Sequence, residues 1–142
     1  MDEPGPTPQE IVEKVKLPPH LARLPYLQEY YGTVEWSVRA VFDGYLGWFG
    51  GNATDLFPLP LKERAKRFAR LAGGEKALLA FARRGLKEKD YQWTLELCDQ
   101  LIRLPYETAE VRKIKSEALK GLAELQVAST ARNYYLTHEI TT

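Results

Sequence analysis

Residues 90–125 read DYQWTLELCDQLIRLPYETAEVRKIKSEALKGLAEL, and the fold follows from how that run is punctuated. Asp90-Tyr91 opens a helix whose apolar positions are Leu95, Leu97, Leu101 and Leu104. Pro105, lacking an amide hydrogen, ends it. Thr108-Ala109-Glu110 starts a second helix, along which Val111, Ile114, Ala118 and Leu122 recur at steps of three or four. A hairpin of two such helices cannot bury its own apolar face, so it must stack on neighbours of the same kind.

Working outward, helices are expected over 61–72, 75–88, 91–104, 108–122 and 125–137, with short joints between them. Nothing in this half alternates as a strand, so the class is all-α. Thirty-four residues separate Tyr91 from Leu125, Thr94 from Ala128 and Asp90 from Glu124. That is the period of tetratricopeptide-like helix pairs. The pattern covers roughly 75–137, with Thr94 and Leu101 standing where alanine is more typical. The expectation is an antiparallel helical array with tetratricopeptide-like pairs.

The N-terminal half is organised differently. Thr7-Pro8-Gln9-Glu10 has the form of a helix start: Thr7 as N-cap, Pro8 at the first helical position, Glu10 closing a capping box. Ile11, Val12 and Val15 give a short apolar face before Pro18-Pro19, and a partly helical piece interrupted at Pro25 is expected over 21–30. Then comes YGTVEWSVRAVFDGYLGWFGGN (31–52), dense in both aromatic rings and glycine. Val34, Val38, Val41, Tyr45 and Trp48 follow at steps of four, three, four and three, one stripe of a helix. Beside it lie Ala40, Gly44 and Gly47. Glycine inside a helix costs about 1 kcal/mol relative to alanine; close approach of another backbone is the expected return. Glu35, Arg39 and Asp43 form an i, i+4 ladder, and Gly50-Gly51-Asn52 is expected to end the helix. The whole chain, 1–142, is read as one domain: 1–6 disordered, 7–60 the N-terminal helices with the aromatic–glycine segment, 61–140 the helical pairs.

Composition sets outer bounds. At 142 residues, 44% apolar and 27% charged, the chain suits a globular domain. Its apolar runs are too short to span a bilayer, and the start MDEPGPTPQE is acidic and Pro-rich, so neither a membrane segment nor a signal peptide is expected in this chain. Nothing assigns a compartment. Residues 1–61 carry four Lys/Arg against eight Asp/Glu, 62–89 ten against three, and 90–142 six against eight. A basic middle suits nucleic acid or an acidic partner. No aromatic rings interleave with these charges as base stacking requires; the charges are read as the solvated faces of two helices, with no nucleic-acid partner.

The inventory for chemistry is thin. His20 and His138 stand in opposite terminal regions, and Cys98 is the single cysteine, on an apolar helix face where a buried inert thiol is expected. There is no HExxH, HxH, CxxC, GxSxG, P-loop or GxGxxG. No catalytic, metal or cofactor residue is assigned in this chain. A stand-alone tetratricopeptide-like adaptor for a peptide or protein is one functional reading, and a complete small hydrolase a weaker one.

A family resemblance supplies another. TPQEIVEKVKLPPHLARLPYLQEYYGTVEWSVRAVFDGYLGWFGGN, then PLPLKERAKRFARLAGG, KDYQWTLELCDQL and ASTARNYYLTHEI, together resemble the dimerisation domain of alkyl sulfatases. These are enzymes of the metallo-β-lactamase superfamily that hydrolyse sulfate esters of long-chain alcohols. The specific part is LPPHL, YYGTVEWSVRA, YLGWF and LAGG in that order, and the match runs from about Thr7 to about Ile140. The resemblance implies an all-α, tetratricopeptide-like domain that follows a zinc-binding catalytic domain, precedes a sterol-carrier-like one and builds a tight homodimer. The HxHxDH metal motif is absent here, so zinc is expected in a catalytic domain outside this chain. Many relatives have histidine in the YGTV segment where Trp36 stands, and no catalytic role is transferred to it. Tyr31, Arg39, Ala40, Gly44, Tyr45, Gly47 and Trp48 are the candidates for an interface or shared pocket.

Overall fold

The computed structural model describes residues 5–141. The disorder expected of 1–6 therefore lies outside the described residues for 1–4; Gly5 and Pro6 belong to no helix. Among the described residues every regular element is helical. The chain forms two compact units, one holding the residues through Pro58 together with Val127–Thr130, the other Leu59–Gln126 with the residues from Ala131 on.

In the first unit α1 (Pro8–Lys14) starts as its sequence requires. The Thr7 amide donates to the Glu10 carboxylate at 2.7 Å and the Glu10 amide to Thr7 Oγ1 at 3.3 Å. The Thr7 amide, and after it the Thr7 hydroxyl donating to the same carboxylate at 2.8 Å, hold the Glu10 carboxyl below its ordinary pKa. A single turn, α2 (Pro19–Ala22), and a 3-10 turn at Pro25–Leu27 follow, each opened by proline. α3 (Val34–Leu46) is capped by Thr33, whose Oγ1 accepts from the Trp36 amide at 3.1 Å.

One expectation is corrected here. The helix stops at Leu46, not at Gly50-Gly51-Asn52, because Gly47 takes φ +78° and returns its amide to the Asp43 carbonyl. A side chain tolerates that backbone poorly, and glycine does not. Asn52 instead caps a 3-10 turn at Ala53–Asp55.

The second unit holds α4 (Leu61–Ala72), α5 (Glu75–Lys87), α6 (Tyr91–Arg103) and α7 (Ala109–Leu125), and most of α8 (Ser129–Thr141). Gly73 at φ +94° ends α4, with the Gly74 amide reaching back to the Ala69 carbonyl at 2.7 Å. Three residues join α5 to α6, so these packed helices run antiparallel, and α7 packs on α6 after the Pro105 break. Ala69, Leu78, Leu79, Ala82, Leu97, Cys98, Leu101, Val111 and Ile114 form the core. Burial pushes the Cys98 thiol up to about 11, the state of an inert packing residue. The arrangement is consistent with tetratricopeptide-like pairs: α5 and α7 begin 34 residues apart. The interval is not kept by α6 and α8, which start at Tyr91 and Ser129, so Leu125 and Ala128 end one helix and precede the next.

Thr94 and Leu101, unusual for such a pattern, are both fully buried. Room for Thr94 comes from α5: a Cβ on Gly85 would stand 2.7 Å from Thr94 Oγ1. That hydroxyl is already fixed by donating to the Asp90 carbonyl at 2.7 Å. Gly85→Ala should therefore lower stability by about 1–3 kcal/mol through overpacking, despite the roughly 1 kcal/mol of helix propensity it gains. Adding Thr94→Ala should recover part of that loss; urea midpoints of the single and double variants measure it.

Candidate functional site

The face that stands out is that of α3. Phe42 is its buried residue, while Tyr45 is 87% exposed and, beyond the helix, Trp48 is 74% exposed. The stripe read from the sequence lines one wall of an apolar groove of about 840 Å³. Val34, Val38, Val41 and Tyr45 supply that wall, and Ile11, Val15, Leu17 and Leu27 face it from α1 and the segment after it. Trp48 leaves the stripe because Gly47 ends the helix; its ring instead stands edge-on to Phe49 at 5.6 Å between centroids.

Ala40 and Gly44 lie roughly a quarter turn around α3 from the groove wall. Ala40 is exposed, and a Cβ built on Gly44 would meet nothing within 4 Å. The close backbone approach that glycine permits is thus not used inside this chain. Gly47 has open space as well, and its positive φ is reason enough for glycine there.

Arg39 is half-buried and engaged within the chain. Its guanidinium donates to the Glu35 carboxylate, at 3.0 Å from Nε and 2.8 Å from Nη2, and Nη2 also reaches Gln9 Oε1 at 2.6 Å. It thereby ties α3 to α1. The backbone before α3 is held from the far end of the sequence. The Tyr30 carbonyl accepts from the Ser129 amide and hydroxyl at 2.6 and 2.8 Å, and the Tyr31 carbonyl from Thr130 Oγ1 at 2.7 Å. The Tyr31 ring is left 82% exposed. Ser129 and Thr130 escaped the sequence reading: a hydroxyl at a helix start reads as a cap, and no local pattern reveals a partner 99 residues away.

The basic stretch falls on α4 and α5, where Lys66 pairs with Glu63 at 2.6 Å and Arg83 with Glu110 of α7. Among the described residues no group of three or more His, Cys, Asp or Glu can hold a metal ion, so the residues present do not fit a zinc centre. No described helix is long and apolar enough to cross a membrane.

Comparison with known proteins gives the same assignment across the chain. The model of the alkyl sulfatase dimerisation family matches residues 7–141. A linear primary-alkylsulfatase from a Pseudomonas species is 46% identical over 133 residues, 93% of this chain and 25% of that protein. The yeast (Saccharomyces cerevisiae) alkyl/aryl-sulfatase BDS1 is 33% identical over 132 residues, 93% of this chain and 20% of its own length. Among solved structures, the stereoselective inverting sec-alkylsulfatase Pisa1 from Pseudomonas sp. superposes with a TM-score of 0.87 at 33% identity, over 94% of this chain and 21% of that one. The chain thus spans about a fifth to a quarter of these relatives.

The Tyr30–Tyr31 clamp is open to direct test. Ser129→Ala with Thr130→Val removes two side-chain donors and should cost about 1–2 kcal/mol. Hydrogen exchange should quicken at residues 30–34 and stay unchanged in α5.

Proposed function

This chain belongs to the alkyl sulfatase dimerisation family, and from that premise we propose that it joins two copies of an alkyl sulfatase-like protein through the exposed face of α3. The observation that carries the reading is the uncovered strip at Ala40 and Gly44, flanked by exposed Tyr45 and, past the helix end, Trp48. A glycine in the last turn of α3 with nothing opposite it gives up helix propensity for no internal return. A second helix seated on that strip supplies the return, and the exposed rings of Tyr45 and Trp48 offer apolar area of the kind obligate interfaces favour. The exposed Tyr31 ring is a further candidate for the interface. Arg39 and Gly47 act one step back, Arg39 by fixing α1 against α3 and Gly47 by turning the chain so that Trp48 faces outward.

In the parent protein the partner domain is a metallo-β-lactamase-type catalytic domain that holds zinc and cleaves sulfate esters of long-chain alcohols. This chain supplies none of that chemistry. His20 and His138 belong to separate units, and the Cys98 thiol is buried. The adaptor reading is not favoured, because the family match runs the length of the helical array.

Sedimentation of the 142-residue chain should give about twice its 16.2 kDa mass at micromolar concentration. A Cβ at Gly44 meets nothing within 4 Å in the chain, so Gly44→Phe should leave helical content unchanged while weakening association by at least about 30-fold. A chain that stays monomeric at high concentration would overturn the proposal. Separately, the chain supplied with zinc should not hydrolyse dodecyl sulfate; turnover that scales with its concentration would show that it carries its own active site.

A further inference from the structure

We propose that α4 rests on an anionic lipid surface, with its outer apolar stripe in the headgroup layer and its arginines on lipid phosphates. This site is separate from the α3 face and does not depend on the dimerisation reading.

α4 carries two stripes. Ala65, Ala69 and Ala72 lie at steps of four and three, and this side meets the core of the second unit: Ala65 and Ala69 are buried, and Ala72 packs against the core. Leu61, Arg64, Phe68 and Leu71 recur at steps of three, four and three on the other stripe. Leu61 is 58% exposed, Phe68 36% and Leu71 87%. Arg67 falls beside them, about 40° around the helix from Leu71. An apolar stripe at helical spacing ordinarily marks a buried face. In α4 the buried face is the alanine one, and the leucine–phenylalanine stripe has no internal use.

Charge is concentrated on the same helix. α4 holds five Lys/Arg against one carboxylate, Glu63, and Lys66 pairs with it at 2.6 Å. Among the described residues Lys62, Arg64, Arg67 and Arg70 form no ion pair. On α7, by contrast, four cations are spaced among three carboxylates, and Arg112, Lys113 and Lys115 are each ion-paired. The chain as a whole carries only +1, so overall charge does not account for α4. About four to eight cations on an amphipathic helix are the footprint of anionic-lipid binding.

The shape of the face favours a bilayer over an acidic protein. α4 presents a convex ridge, and none of its residues lines the apolar groove of the first unit or the smaller cavity at Lys76, Leu79 and Tyr106. A protein partner is gripped by side chains set in pockets. A bilayer needs no pocket: the aliphatic stems of Arg64 and Arg67 lie along the apolar stripe while their guanidinium groups reach phosphate. The helix lies on the surface and does not cross it.

Vesicle flotation tests this. Vesicles of phosphatidylglycerol and phosphatidylcholine should carry the chain, phosphatidylcholine alone should not, and binding should fall as added salt shortens the screening length. Arg64→Glu with Arg67→Glu alters exposed positions in a helix that accommodates glutamate well. Helical content should hold while affinity for anionic vesicles falls at least about 25-fold, about fivefold for each cation lost. Leu71→Ser should lower affinity severalfold without changing the salt dependence. Lys113→Glu with Lys120→Glu makes the same change of net charge on exposed positions of α7 and should keep most of the affinity. Equal binding to phosphatidylcholine, no binding to anionic vesicles, or an equal loss in the α7 variant would overturn the inference. Polyglutamate held more tightly than the vesicles, and released by the α4 variant, would assign the face to an acidic polypeptide and overturn it as well.

Discussion

The second unit depends on how closely α5 and α6 approach one another at Gly85 and Thr94. Thr94 is fully buried, its hydroxyl donates to the Asp90 carbonyl, and the space beside it exists because Gly85 has no side chain. Turning Thr94 aside to admit a Cβ would break its bond to the Asp90 carbonyl. Around that contact the core closes through Leu78, Ala82, Leu97, Cys98 and Leu101. Gly121 on α7 plays a similar part, with the Tyr91 ring lying where its Cβ would be. The tip of a ring can move, so that second contact is the softer of the two.

These glycines and those of the aromatic segment show what glycine in a sequence can and cannot reveal. A helical glycine announces close approach, a special backbone or both, but never names the neighbour. Gly85 and Gly121 find theirs within the chain; Gly47 is explained by its φ of +78°. Gly44 has ordinary helical geometry and open space beside it. Gly44 and Gly47 stand in line among rings and so carry a sequence signal, whereas Gly85 and Gly121 are each isolated among ordinary helix formers and carry none. Neighbours contributed by other helices separate the four, and periodicity along one helix carries no trace of those.

The legible parts of the fold were those set by short-range chemistry. The Thr7–Glu10 box, the proline starts, the Pro105 break and the bounds of α4 and α5 all rest on residues a few positions apart. Long-range choices were less legible. The exit of α3 came one turn early, since two glycine signals competed and the first one won. The last helix begins at Ser129, displaced from the repeat register, and Ser129 and Thr130 there bind the backbone of Tyr30 and Tyr31. For the candidate surface, the groove wall was visible as a stripe at helical spacing, whereas the opposite wall required the path of the chain after α1. Arg39 was read as one rung of a charge ladder, and it joins two helices through Gln9.

The two units therefore hold their structure by different means, and this bears on how a dimerisation domain can be built. The second unit has its own core. A unit held by caps and single hydrogen bonds keeps its apolar surface free, as an interface requires, but the same free surface leaves it short of stabilising burial. If it buried those side chains internally it would be a better monomer and a worse dimerisation surface. Local caps resolve the conflict by biasing the backbone of α1 and α3 toward one conformation. Pre-ordering lowers the entropy lost on association, and the apolar area remains available to reward it.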